Sequence, residues 1–198
     1  FNYTISDGKS ISGPARVILT VASTFALFFD GKDDYVDCGK NDDLNLTTTA
    51  LTIEAWIRPS GWGERTDLGG YGRVVDKEKY ILFLNGENSD YANHSLVFVM
   101  DHADGSFSAL CTPENSIRLG LWQHLAVTYN GTETVRMYIN GDEQSLHQPY
   151  DPPSGSVADN SGYALLIGES AAQNRAFRGE IDEVRIWKTP RSREDIQS

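Results

Sequence analysis

Residues 122–142, WQHLAVTYNGTETVRMYINGD, decide the fold. Leu125, Val127 and Tyr129 alternate with His124, Ala126 and Thr128. Beyond Asn130-Gly131, Val135, Met137 and Ile139 alternate with Arg136 and Tyr138. A period of two on both sides of an Asn-Gly pair predicts an antiparallel hairpin, with a second turn at Asn140-Gly141. Each arm carries one apolar row and one mixed row. That suits a sheet with one face on a core and the other partly wet.

Working outward, Leu51, Ile53, Ala55 and Ile57 alternate with Thr52, Glu54, Trp56 and Arg58, a strand ended by Pro59. The loop SGWGERTDLGGYG follows, rich in glycine and carrying Trp62 and Tyr71. Further strands are expected near 24–30, 34–38, 72–76, 79–85, 95–101, 106–112 and 163–168, and from Phe177 to Trp187, with a helical turn over 191–197. Residues 148–162, QPYDPPSGSVADNSG, hold too much Pro, Ser, Asp and Gly for anything but an irregular connection.

A chain of 198 residues buries one good core, and 18 glycines with 11% aromatic residues point to an all-β domain. The net charge of -11 and pI near 4.7 exclude a nucleic-acid partner, whose phosphates would be repelled. The most apolar run, Val17 to Phe29, is interrupted by Thr20, Ser23 and Thr24; it is expected to form two successive strands, with no membrane insertion. Cys38 and Cys111 leave a disulfide open, because spacing alone does not show whether two Cβ atoms meet.

Four pieces fall in order over residues 25–197: Phe29-Asp30-Gly31 with Asp34-Tyr35-Val36; Leu51 to Pro59; the central hairpin with its Trp-x-His-x-Ala-Val-Thr-Tyr and Met-Tyr-Ile-Asn-Gly; and Phe177 to Trp187. Together they resemble laminin-G-like and pentraxin-like domains. The resemblance implies a two-sheet antiparallel jelly-roll sandwich of the concanavalin A type over residues 23–198. Residues 1–22 read as strand, turn and strand, and resemble the closing hairpin of a bacterial cadherin-like or immunoglobulin-like repeat. Such a repeat implies covalently linked neighbouring domains in a longer extracellular chain; the alternative is an N-terminal extension that completes this domain's own sheet.

Glu180-Ile181-Asp182-Glu183 resembles the paired-carboxylate strand of jelly-roll endo-glucanases. Val184 and Arg185 stand where that motif needs its last glutamate, however, and strict alternation sends Glu183 to the face opposite Asp182. His94, His102, His124 and His147 lie on separate elements without metal-ligand spacing, and Gly69 to Gly72 lacks the lysine of a phosphate cradle. Where pentraxins place the acids of their calcium pair, this chain has Ser170, Ala171 and Ala172. The expectation is a non-enzyme.

The expected function is an extracellular binding module that recognises a glycan or a cell-surface protein through loop aromatics Trp62, Tyr71 and Tyr91. A structural spacer, and an enzyme built around Glu54 and a neighbouring carboxylate, are the alternatives. On the last strand, alternation places Asp182 on the core side with Val184 and Ile186, where a carboxylate needs a partner or a metal. The resemblance implies a calcium ion there, shared by Asp182 and Asp30, with backbone oxygens and water completing six to eight ligands.

Overall fold

A computed structural model describes residues 2–3, 15–16, 25–46, 50–64, 70–87 and 89–197. Two six-stranded antiparallel sheets face each other across one core. The first, in spatial order, holds Asp142–Glu143 (β12), Val135–Ile139 (β11), Gln123–Tyr129 (β10), Leu51–Pro59 (β5), Arg178–Trp187 (β14) and Leu27–Asp30 (β3). The second holds Val36–Asp37 (β4), Leu166–Ile167 (β13), Arg73–Asp76 (β6), Tyr80–Asn85 (β7), Ser95–Asp101 (β8) and Phe107–Cys111 (β9). This is the jelly-roll sandwich that the alternation and the resemblance predict. The expected buried strand over 163–168 is shorter, pairing only at Leu166 and Ile167.

The central hairpin pairs Leu125 with Ile139 and Tyr129 with Val135, and its apolar row joins that of β5 in the core. Opposite lie Leu82, Leu84, Leu96, Phe98 and Met100 from the second sheet. The second sheet is apolar on both faces. Phe83, Val97, Val99, Ala109 and Cys111 form a smaller core on its outer side, which explains why β8, SLVFVMD, is buried almost end to end. Cys111 lies in that cluster while Cys38 is exposed, and neither forms a disulfide.

Asn2–Tyr3 (β1) and Ala15–Arg16 (β2) pair antiparallel in a two-stranded ladder of their own. The remainder of the 1–22 unit, and the first strand expected within Val17 to Phe29, lie outside the described residues. Among the described residues no helix is long and apolar enough to cross a membrane. At the other end, Arg193–Gln197 (α1) forms the expected helical turn.

Candidate functional site

The outer face of the first sheet is polar and aromatic, and among the described residues it is open. Register stacks its side chains in rows across β10, β5 and β14: Arg58 beside Glu180; His124, Trp56 and Asp182; Ala126, Glu54 and Arg185; Thr128, Thr52 and Trp187. Between the second and third rows β14 carries an extra residue. Asp182 pairs with Trp56 and Arg185 with Glu54, so Glu183 and Val184 together oppose Ala55. Glu183 takes the left-handed conformation, φ 50°, that such a bulge requires.

This bulge overturns two expectations. It reverses the parity of the strand, so Ile181 is buried in the core and Asp182 faces outward, while Val184 and Ile186 beyond the bulge pack inward. Glu183 lies on the same side as Asp182, and both line one cavity with Glu180. Asp30 and Asp182, the expected calcium ligands, stand on neighbouring strands, β3 and β14. Asp30 pairs with Arg178, four positions from Asp182, a separation of about 13 Å at ~3.3 Å per residue. Asp30 Oδ1 accepts from Lys32 N at 2.8 Å, and Asp182 Oδ1 from Glu183 N at 2.8 Å. Among the described residues no group of three His, Cys, Asp or Glu side chains is placed to hold a metal ion.

Two adjoining hollows form a groove over this face. One, of about 370 Å³, is lined by Phe25, Trp56, Arg58, Trp122 and the three carboxylates. The other, of about 620 Å³, is lined by Glu54, Trp56, Trp122, His124, Asn140, Arg185 and Arg191 among others. Trp56 and Trp122 belong to both and are 41% and 38% exposed. On the floor Glu54 is 2% exposed, its Oε2 3.5 Å from His124 Nε2 and its Oε1 3.2 Å from Arg191 Nη1. Arg191 also lies over the Trp187 ring at 4.6 Å.

The C-terminal segment closes one side. Thr52 Oγ1 donates to Thr189 O and accepts from Arg191 N, Ile196 packs on Ala126 and Tyr138, and Gln197 Nε2 donates to Gly141 O. Trp56 and Trp122 were not among the expected site residues, and Glu54 was expected only as the centre of the enzymatic alternative. The signal lay in the 51–58 alternation, which puts a tryptophan on the wet row of a strand.

The loop aromatics go elsewhere. Trp62 stacks on His94, with ring centres 4.5 Å apart, and packs against the main core. Tyr71 and Tyr91 do come together, edge to face at 6.5 Å, and each also meets Phe83. They cap the outer cluster of the second sheet, and burial pushes the Tyr91 hydroxyl up to about 12. An apolar outer face pulls nearby rings onto itself because leaving it wet costs ~25 cal/mol per Å².

Burial lowers the affinity of His124 and His102 for a proton. Glu54 opposes this at His124, where Arg185 and Arg191 reinforce it; Asp104 and Asp101 oppose it at His102, whose Nε2 meets Ser108 Oγ at 2.6 Å. Both rings therefore take up a proton at lower pH in the fold than in an unfolded chain, where histidine titrates near about 6.5. The unfolded state then binds more protons, so stability is complete above about pH 6.5 and falls as the solution is acidified below it. Urea midpoints at about pH 7.5 and about pH 5.5 are expected to show the decline, shallower in His124→Gln; a midpoint that rises on acidification would contradict it.

Comparisons agree with this geometry. Residues 30–197 match the laminin-G-like family described as the concanavalin A-like lectin/glucanases superfamily. Mouse pappalysin-1 is 27% identical over 181 residues, which cover 87% of this chain and 11% of that protein, so the chain spans about a tenth of its length. The binding domain of Paraclostridial Mosquitocidal Protein 1 superposes with a TM-score of 0.63 at 19% identity, over 99% of this chain and 44% of that one. Domain 4 of AbnA, an extracellular arabinanase from Geobacillus stearothermophilus in complex with arabinotriose, gives 0.57 at 18% identity, over 100% and 80%. With the family match covering most of its length and both sheets in place, this chain belongs to the concanavalin A-like lectin/glucanases superfamily.

Proposed function

We propose that this domain is a non-catalytic module that binds a carbohydrate chain across the open face of its first sheet, as part of a longer protein working outside the cell. One observation carries this reading: Trp56 and Trp122 stand two-fifths exposed in a groove whose other polar walls are carboxylates, arginines, an imidazole and two amides. Sugar rings present apolar faces for stacking and hydroxyls for polar walls. The AbnA domain, whose crystals hold arabinotriose, and the mosquitocidal binding domain share this fold and lend it weight. A spacer has no use for exposed tryptophans. A glycosidase needs a carboxylic acid held protonated, whereas the Arg58 hydrogen bond keeps the Glu180 carboxyl below the usual range.

Titrating the domain with a panel of oligosaccharides, followed by tryptophan fluorescence, tests the reading. Trp56→Ala and Trp122→Ala are each expected to weaken binding by about tenfold or more, equivalent to ~1.4 kcal/mol. Trp62→Ala, on the loop, is expected to leave affinity unchanged. The opposite pattern, with Trp62 essential and both groove tryptophans silent, would move the site back to the loops.

A further inference from the structure

We infer that the groove selects glycans without negative charge and that Glu54 is the residue that anchors them; the inference rests on the carbohydrate-binding reading above. Arg58, Arg185 and Arg191 line the groove, and each is already engaged. Arg58 pairs with Glu180, and Arg185 with Glu183. Arg191 pairs with Glu54 at 3.2 Å and donates to the Asp195 carbonyl at 2.7 Å. Against these three guanidinium groups stand five carboxylates, those of Glu54, Glu180, Asp182, Glu183 and Asp195. A uronate, sialate or sulfate entering the groove therefore meets surplus negative charge and has to displace a carboxylate from its arginine. The net charge of -11 adds a repulsive long-range field.

Glu54 supplies the opposite preference. Its side chain is 3% exposed, and Oε1 accepts no hydrogen bond even with Arg191 Nη1 at 3.2 Å. A buried carboxylate oxygen whose neighbouring guanidinium is ion-paired but poorly aligned for a hydrogen bond is under-satisfied, and the Glu54 side chain lies in the wall of the larger hollow. Trp56 is two residues along the same strand and on the same face, about 7 Å away at ~3.3 Å per residue. A pyranose or furanose ring stacked on Trp56 thus carries its hydroxyls within reach of Glu54, and a hydroxyl donates where an anionic group does not.

The test is calorimetric titration of uncharged trisaccharides, arabinotriose among them, and of counterparts bearing a uronate or sialate, into wild type, Trp56→Ala, Glu54→Gln and Glu180→Gln, each checked by a thermal melt. Uncharged ligands are expected to bind, and charged counterparts to bind about tenfold more weakly or worse. Glu54→Gln should weaken uncharged ligands by about 10- to 100-fold, the range for a charge-assisted hydrogen bond. Glu180→Gln, on the exposed rim, releases Arg58 and should improve binding of the charged ligands by roughly threefold, in line with a surface ion pair; this variant decides the matter if Glu54→Gln does not fold. Charged glycans that bind as tightly as uncharged ones and still depend on Trp56 would overturn the selectivity while leaving the groove as the binding site. Full affinity in a folded Glu54→Gln would remove the anchor. No binding of any saccharide by wild type would instead overturn the carbohydrate reading itself.

Discussion

Phe29→Ala is expected to lower the unfolding free energy by about 3–5 kcal/mol, a large share of the ~5–15 kcal/mol that holds a domain of this size together. Phe29 is 2% exposed on β3, the edge strand of the first sheet, and its ring reaches across to the second. It meets Phe177 edge to face at 6.1 Å and lies so close to Gly168, just after β13, that a Cβ there would overlap it. The ring fills the gap between the sheets at an edge where β3 contributes only four residues. Truncation removes its burial and leaves a cavity that two hydrogen-bonded sheets cannot collapse to fill. Phe28, its neighbour on the opposite face, is 66% exposed, so Phe28→Ala should change stability by no more than ~0.5 kcal/mol. Urea denaturation of both variants checks the pair. Similar losses at the two positions would mean that Phe29 does not bridge the sheets as described.

The second large effect is expected at Gly179, where alanine should cost about 2–6 kcal/mol. Gly179, the second residue of β14, has φ 136°, a conformation that side chains rarely adopt. It pairs with Pro59 of β5, and an added Cβ would fall 2.7 Å from Pro59 Cα, 2.9 Å from Ser60 N and closer still to the Arg58 carbonyl oxygen. These are backbone atoms of a neighbouring strand and have no rotamer to escape into. Strain and overlap therefore add, and the strand shifts at the point from which it sets Glu180 and Asp182 into the groove. Gly39 is the control: φ is 76° and nothing lies within 4 Å of its added Cβ, so Gly39→Ala should cost only the left-handed penalty of about 1–2 kcal/mol. Comparing the two denaturation midpoints isolates steric overlap from backbone conformation, and equal losses would show that the close approach to β5 contributes nothing.

Much of this architecture was legible in the residues alone. The alternations of 51–58, 123–129 and 135–139 are local consequences of a two-residue side-chain period, and an Asn-Gly turn closes a hairpin whatever surrounds it. The family resemblance rested on the same strands, and the -11 charge carries its meaning without coordinates. The tertiary structure decided where the wet faces lead. Periodicity states that Trp56 and Leu51 lie on opposite sides of one strand, but whether a face is left open or covered depends on segments distant in sequence. Loop rings Tyr71 and Tyr91 cover the second sheet because its outer face is apolar, and among the described residues the C-terminal turn partly covers the first. One bulge had the largest consequence. A single residue in a left-handed conformation at Glu183 reverses every side chain on one side of it relative to the other, and nothing in GEIDEVRIW shows where that register slip falls. The bulge is set by pairing with β5, so the outward turn of Asp182 and the gathering of carboxylates beside Trp56 are properties of the paired sheet and of no strand by itself.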